Sequence, residues 1–291
     1  MLSFPDVDTR DPHAVGARIR ELLRGIESKG DLSLFDAVFE DIGLMFNGQF
    51  GDYRRIDLGY HDLQHTLQAS LCMAEIVAGR DIARAVPVLT WRQIQLGMVA
   101  ILLHDSGYLT TSADGGGTGA KFTYTHVLRS AAVAASQLPR HSVRPEGIEF
   151  VVNAIHCTGP SANINKLEFK SESELIIGAA VTTADYLGQL AAADYPDELE
   201  ILYGEFKESD DYQGIPESDR SFSSAEDLIR RTPSFWVDFV LPKLEKDFRG
   251  VYRYLADPFP DGPNPYIRAV ENNMKIIKER IATLAPEATS I

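Results

Sequence analysis

The feature that most limits what this chain can become is its apolar spacing, which is helical almost from end to end. Val15, Ile19, Leu22, Leu23 and Ile26 recur at three- and four-residue intervals after Asp11-Pro12, an N-cap followed by proline at the first helical position, and the pattern stops at Gly30. The same period predicts helices over about 31–47, 60–79, 91–104, 125–138, 145–157, 172–192, 196–206, 233–256 and 264–284. No run of β-branched alternation is strong enough to require a sheet, so the expected class is all-α, with 1–291 as one domain. Irregular stretches interrupt the helices at 113–119, 159–170 and 208–224. The last, acidic and rich in Ser and Asp, reads as a solvated loop rather than a lid.

Charge narrows the function. Lys and Arg total 28 against 42 Asp and Glu, a formal net charge of −14. A surface that acidic repels a polyphosphate backbone, which disfavours broad nucleic-acid binding. A small phosphorylated ligand is still compatible, because a bound metal can dominate the local field. Two cysteines, Cys72 and Cys157, are too few for a disulfide framework. The first residues carry no basic stretch followed by an apolar one, and the strongest apolar run, Gly97 to Leu103, is far short of the ~20 residues of a membrane span. The expectation is a cytoplasmic protein without a membrane partner; its oligomeric state is not legible.

Histidines then mark the chemistry. His13 and His141 lie in loop or proline-flanked surroundings and receive no role. His61, His65, His104, His126 and His156 fall in or at the ends of otherwise apolar helices, an expensive setting for a titratable ring unless something satisfies it. On a helix, the i, i+4 pair in Tyr60-His61-Asp62-Leu63-Gln64-His65 shares a face. His104-Asp105 ends the apolar run Ile101-Leu102-Leu103, where the helix dipole disfavours a carboxylate and favours a nearby cation. Two adjacent residues reach one centre only where the backbone leaves helical geometry, and Gly107 is expected to give that freedom. Asp185 interrupts the small, apolar stretch Ala179 to Leu187 and requires a partner, either an arginine or a site. Gly115-Gly116-Gly117-Thr118-Gly119-Ala120-Lys121 fails as a phosphate loop, because Lys121 follows Ala120 and no Ser or Thr comes next.

The order His, His-Asp, His, His, Asp resembles the HD-domain superfamily of metal-dependent phosphohydrolases over roughly residues 55–205. That resemblance implies an all-α bundle with additional N- and C-terminal helices, the latter an annex over 225–291. It also implies a first metal on His65, His104, Asp105 and Asp185, and a second bridged by Asp105 and completed by His126 and His156. Tyr60-His61-Asp62-Leu63-Gln64-His65 is similar to the Tyr-His-Asn-x-x-His segment of cyclic-nucleotide phosphodiesterases, whose first His protonates the leaving group. Here Asp62 replaces the Asn, and Tyr108 stands where a phosphodiesterase has a further His and an HD-GYP protein a Lys.

Imidazole and carboxylate ligands without thiolate suit two divalent transition ions drawn from Fe, Mn, Zn, Co or Ni. On this reading Asp105 helps to activate a shared water, His61 is the acid, and the substrate is a small nucleotide-like phosphoester. Lys121 and Arg129, flanking His126, are candidates to clamp its phosphate. The same ligand set would also serve a mixed-valent diiron oxygenase, and a non-catalytic nucleotide-sensing module is the remaining alternative. The aromatics Phe235, Trp236, Tyr252 and Tyr254 are expected in the core rather than in a pocket wall.

Overall fold

The computed structural model describes residues 6–159 and 162–284, so Pro160 and Ser161 of the 159–170 stretch, and residues 1–5 and 285–291 of the expected 1–291 domain, lie outside the described residues. Among the described residues there are ten α-helices and no strand, only an isolated antiparallel bridge between Tyr53 and Thr111. The class is all-α. In chain order the helices are α1 (Pro12–Ile26), α2 (Ser33–Phe46), α3 (Leu63–Ile82), α4 (Trp91–Leu103), α5 (His126–Gln137), α6 (Pro145–His156), α7 (Glu172–Leu190), α8 (Tyr195–Gln213), α9 (Ala225–Ser234) and α10 (Pro265–Leu284).

Most starts are written in the local sequence. Asp11 accepts from the His13 N–H ahead of Pro12, Thr90 and Gln93 form a reciprocal capping box, and Ser171 and Ser224 each accept from the third residue of the helix they open. Capping also corrects one expectation. The side chain of Asp62 accepts from the His65 N–H at 3.0 Å, so α3 begins at Leu63 and His61 precedes the helix instead of sharing its face.

Two further corrections concern the second half. The helix expected to stop at 206 continues to Gln213, where Gly214 ends it in the left-handed conformation, leaving 214–224 as the irregular stretch. The helix expected over 233–256 is instead α9 followed by wide π-type turns at 235–240 and 243–247 and a 3₁₀ segment at 251–255. Pro233 and Pro242 explain the departure, since neither supplies the N–H that an α-helical ladder needs.

Three helices, α3, α4 and α7, form the centre. Leu96 to Leu103 of α4 and Ile176 to Gly188 of α7 are buried all round, as expected of helices apolar on every face. α7 packs along α3 so closely that a Cβ on Gly188 would lie 2.8 Å from the Ala69 backbone. Around this trio, α1 covers α3, α2 covers α4, α5 and α6 pair, and α8 to α10 close the other side. Asn273 of α10 donates to the carbonyls of Leu190 and Ala192 at 2.9 and 2.7 Å, joining the C-terminal helices to the end of α7. Among the described residues no single helix is long and apolar enough to cross a membrane.

Candidate metal centre

The first turn of α3, the end of α4 and the middle of α7 meet at one buried point. His104, the C-cap of α4, still has helical backbone angles, whereas Asp105 sits at φ −107°, ψ 7° in the bridge region. That step lets adjacent side chains turn to the same centre. Gly107 contributes in a different way from the one expected: its φ is not positive, but a Cβ there would lie 2.0 Å from the His126 carbonyl, so it admits the first turn of α5.

His65 Nε2 lies 3.1 Å from Asp105 Oδ2 and 3.4 Å from Asp185 Oδ1, and His104 Nε2 is 3.3 Å from each of the same two oxygens. The two Nε2 atoms are themselves 3.3 Å apart. Asp185 is therefore met by imidazoles and not by an arginine. All four residues are buried.

Burial opposes every charge in this group, yet the mutual attraction outweighs it. The Asp105 and Asp185 carboxylates push His65 up to about 10, while His104 and His65 hold Asp185 at about 2 and Asp105 well below the ordinary carboxylate range. Positive charge is thus demanded between the oxygens and the ring nitrogens.

A metal ion fits that demand. His104 Nδ1 lies 2.7 Å from the Ile101 carbonyl, which can only accept, so the ring proton is on Nδ1 and the Nε2 lone pair faces the centre. Asp105 Oδ2 is buried and its polar neighbours are the two ring nitrogens, with no well-aligned hydrogen bond among the described residues, an arrangement that suits a shared cation. His65, His104 and Asp185 form a buried group able to hold a metal ion, with nitrogen and oxygen donors only, and both cysteines are buried outside it.

His126, at the start of α5, extends the group. Its Nδ1 donates to the Thr123 carbonyl at 2.7 Å, and its Nε2 is 3.6 Å from Asp105 Oδ1, the oxygen turned away from His65 and His104. Burial lowers its pKa, which keeps the lone pair available. His156 is not brought to Asp105 by any hydrogen bond or ion pair among the described residues. It ends α6 with a buried, unpartnered Nε2.

His61 stands beside the cluster, its ring centroid 5.8 Å from that of His65 and 6.2 Å from that of His126. Its Nδ1 is 2.5 Å from Glu205 Oε2, while Glu205 Oε1 accepts from the Tyr60 N–H at 2.9 Å. Tyr108 lies flat between His61 and His126, with ring centroids 4.4 and 4.6 Å away, and its hydroxyl is 3.4 Å from His61 Nε2. Behind Asp185, Gln189 donates to Oδ1 at 3.4 Å and receives the hydroxyl of Tyr60. Glu205, Tyr108, Gln189 and Tyr60 were not among the residues expected to serve the site. Glu205 carries no signal of its own in the sequence: it is one of several acids on α8, and its burial comes from packing.

Lys121 and Arg129 are committed elsewhere. Lys121 is 1% exposed and donates to the Asp114 and Gly116 carbonyls, both at 2.7 Å. Arg129 donates to the Gly107 and Leu109 carbonyls and to Asp114, with its guanidinium 3.6 Å from the centre of the Phe122 ring. Both tie down the loop between α4 and α5 through its carbonyls. No protein-family model matches the chain, and no curated protein matches it.

Proposed function

We propose that this protein is an HD-type, metal-dependent phosphohydrolase of the cytoplasm, acting on a small nucleotide-like phosphoester. The observation that carries the reading is an imidazole, His61, anchored by its own carboxylate outside a buried His/Asp cluster. A structural metal site has no use for such a group, whereas hydrolysis of a phosphoester with a poor leaving group needs a proton donor next to the metal.

His65, His104, Asp105 and Asp185 would hold one divalent ion, and Asp105 with His126 would hold a second, with His156 its remaining candidate. Such ions, when bound, supply an activated water and neutralise phosphoryl charge. Asp105 suits a bridging role, since its two oxygens face different imidazoles. Glu205 accepts the Nδ1 proton of His61, which leaves Nε2 as the ring atom that would give a proton to the departing oxygen. Tyr108 keeps that ring in plane, and Gln189 holds the Asp185 carboxylate in its rotamer.

The test is a purified sample assayed for metal content and then, with Mn, Co, Ni, Zn or Fe added, for release of phosphate or nucleotide from a phosphoester panel. Metal-dependent turnover that His61→Ala reduces supports the reading. Oxygen uptake by the iron-loaded protein without phosphoester turnover replaces it with a diiron oxygenase. Nucleotide binding without turnover replaces it with a sensing module.

A further inference from the structure

Near the start of α10, away from the His/Asp cluster, a cavity of about 330 Å³ opens on the surface, at the small end of the range for ligand sites. Its lining includes Arg249, Arg253, Tyr252, Tyr254 and Phe259. Two guanidinium groups and three aromatic rings around one hollow are conspicuous in a chain of net charge −14.

The two arginines differ. Arg253 pairs with Glu245, which also receives the Tyr252 hydroxyl, so its charge is already answered. Arg249 is exposed, and its hydrogen-bond partner is the neutral amide of Asn165, through one Nη2 contact at 3.0 Å. The remaining guanidinium donors and a full positive charge are left for a ligand.

The backbone holds Arg249 there at a cost. Its φ is +58°, followed by Gly250 at +62°, and the left-handed region is strained for a non-glycine residue. In the same lining, Tyr254 and Phe259 stack at 5.4 Å and 23°, and the buried Arg80 puts its guanidinium 4.9 Å from the Tyr254 ring centre. That arrangement makes a supported aromatic wall, with Phe259 still 38% exposed.

From this juxtaposition we infer that the cavity is a binding site for a planar ring carrying one anionic group, the ring against the exposed Phe259, which Tyr254 backs, and the anion on Arg249. Stacking on an aromatic face and a bidentate guanidinium contact are the two interactions such a ligand makes best. A nucleoside monophosphate and an aromatic carboxylate share that chemistry.

Titration calorimetry on the full chain in the presence of chelator tests it, with 5′-AMP and 4-hydroxybenzoate as separate probes. At least one should bind at a single site, and the tighter one identifies the source of the anion. Adenosine, phenol and inorganic phosphate, which each carry half of the chemistry, should bind at least tenfold more weakly. Arg249→Asn, which tolerates the left-handed backbone, and Phe259→Ala, at an exposed ring, should each weaken binding at least tenfold, while His61→Ala leaves it unchanged. The inference is overturned if neither probe binds at millimolar concentration, if both pocket variants bind as wild type does, or if His61→Ala abolishes binding. The last result would place the nucleotide at the metal centre and leave the proposed hydrolase standing.

Discussion

His61 Nδ1 and Glu205 Oε2 lie 2.5 Å apart although 144 residues separate them in the chain. α8 is the element that closes this distance, and the same helix fixes the neighbouring loop, with Glu208 accepting from both the N–H and the hydroxyl of Thr118 at 2.6 Å. The helix that brings the carboxylate to His61 therefore also shapes the wall beside it.

His61 and Glu205 should behave as one unit. His61→Ala is expected to lower kcat on a poor leaving group by about 10²- to 10⁴-fold with metal content retained, and to matter least for p-nitrophenyl esters. Glu205→Gln keeps an acceptor for the Tyr60 N–H but removes the charge, so a fall of about 10-fold or more is expected, with little added in the double variant. Multiplicative losses would separate the two residues.

Metal should stabilise the fold through the buried cluster. A divalent ion at 100 times its Kd adds about 2.7 kcal/mol to the folded state, so thermal unfolding should rise when Mn is added to chelated protein. Asp185→Asn and Asp105→Ala should remove that rise and purify with less metal by elemental analysis. An unchanged metal content in Asp105→Ala would take that residue out of the ligand set.

Lys121 separates structure from substrate binding. Replacement by Met removes two charge-assisted hydrogen bonds to carbonyls of a loop in which Gly116 is exposed, so a loss of about 1–2 kcal/mol in urea unfolding is expected. A raised KM at unchanged stability would instead return Lys121 to the phosphate.

The same residue shows where sequence reading reached its limit. His65, His104, Asp105 and Asp185 stood out because titratable groups in apolar helices need an explanation that local structure cannot give. The loop carbonyls that Lys121 and Arg129 reach were not legible, because proximity to His126 in sequence says nothing about which carbonyls a loop presents to a cation. Glu205 was invisible for the opposite reason: α8 is rich in acids, and only the tertiary packing shows that Glu205 turns inward while Glu200 stays exposed. His61 was expected near His65 through a shared helical face, yet it arrives there from outside α3, held by Glu205 and stacked on Tyr108. The π-type turns after α9 were hidden because periodicity records which residues are apolar and not which lack an N–H.

Gly107 and Gly204 should respond to alanine with opposite signs. At Gly107 a new Cβ meets the His126 carbonyl and the Ser130 nitrogen, so α5 must move, at a cost of up to about 3 kcal/mol. Gly204 is exposed within α8 with nothing near its Cβ position, and alanine there should stabilise by about 0.5–1 kcal/mol. Equal effects on denaturant midpoints would contradict the packing of α5 on Gly107.

Glu198 gives the fold a pH dependence that can be measured without any substrate. It lies near Asp194, Asp62, His65 and Arg10; burial, reinforced by the carboxylates of Asp194 and Asp62, raises its pKa from 4.5 to about 7, against the opposing pull of His65 and Arg10. The folded protein then keeps a proton that the unfolded chain releases at lower pH. The stability tied to this group is complete below about pH 4.5 and declines as pH rises to about 7, because folding must then either hold the proton or bury the charge. Glu198→Gln removes that liability. In chelated protein its unfolding free energy should match wild type near pH 4.5 and exceed it above pH 7 by on the order of 1–2 kcal/mol, allowing for solvent screening. Urea titrations at the two pH values decide the matter, and a variant that is no more stable at pH 8 than wild type would show that Glu198 ionises without penalty.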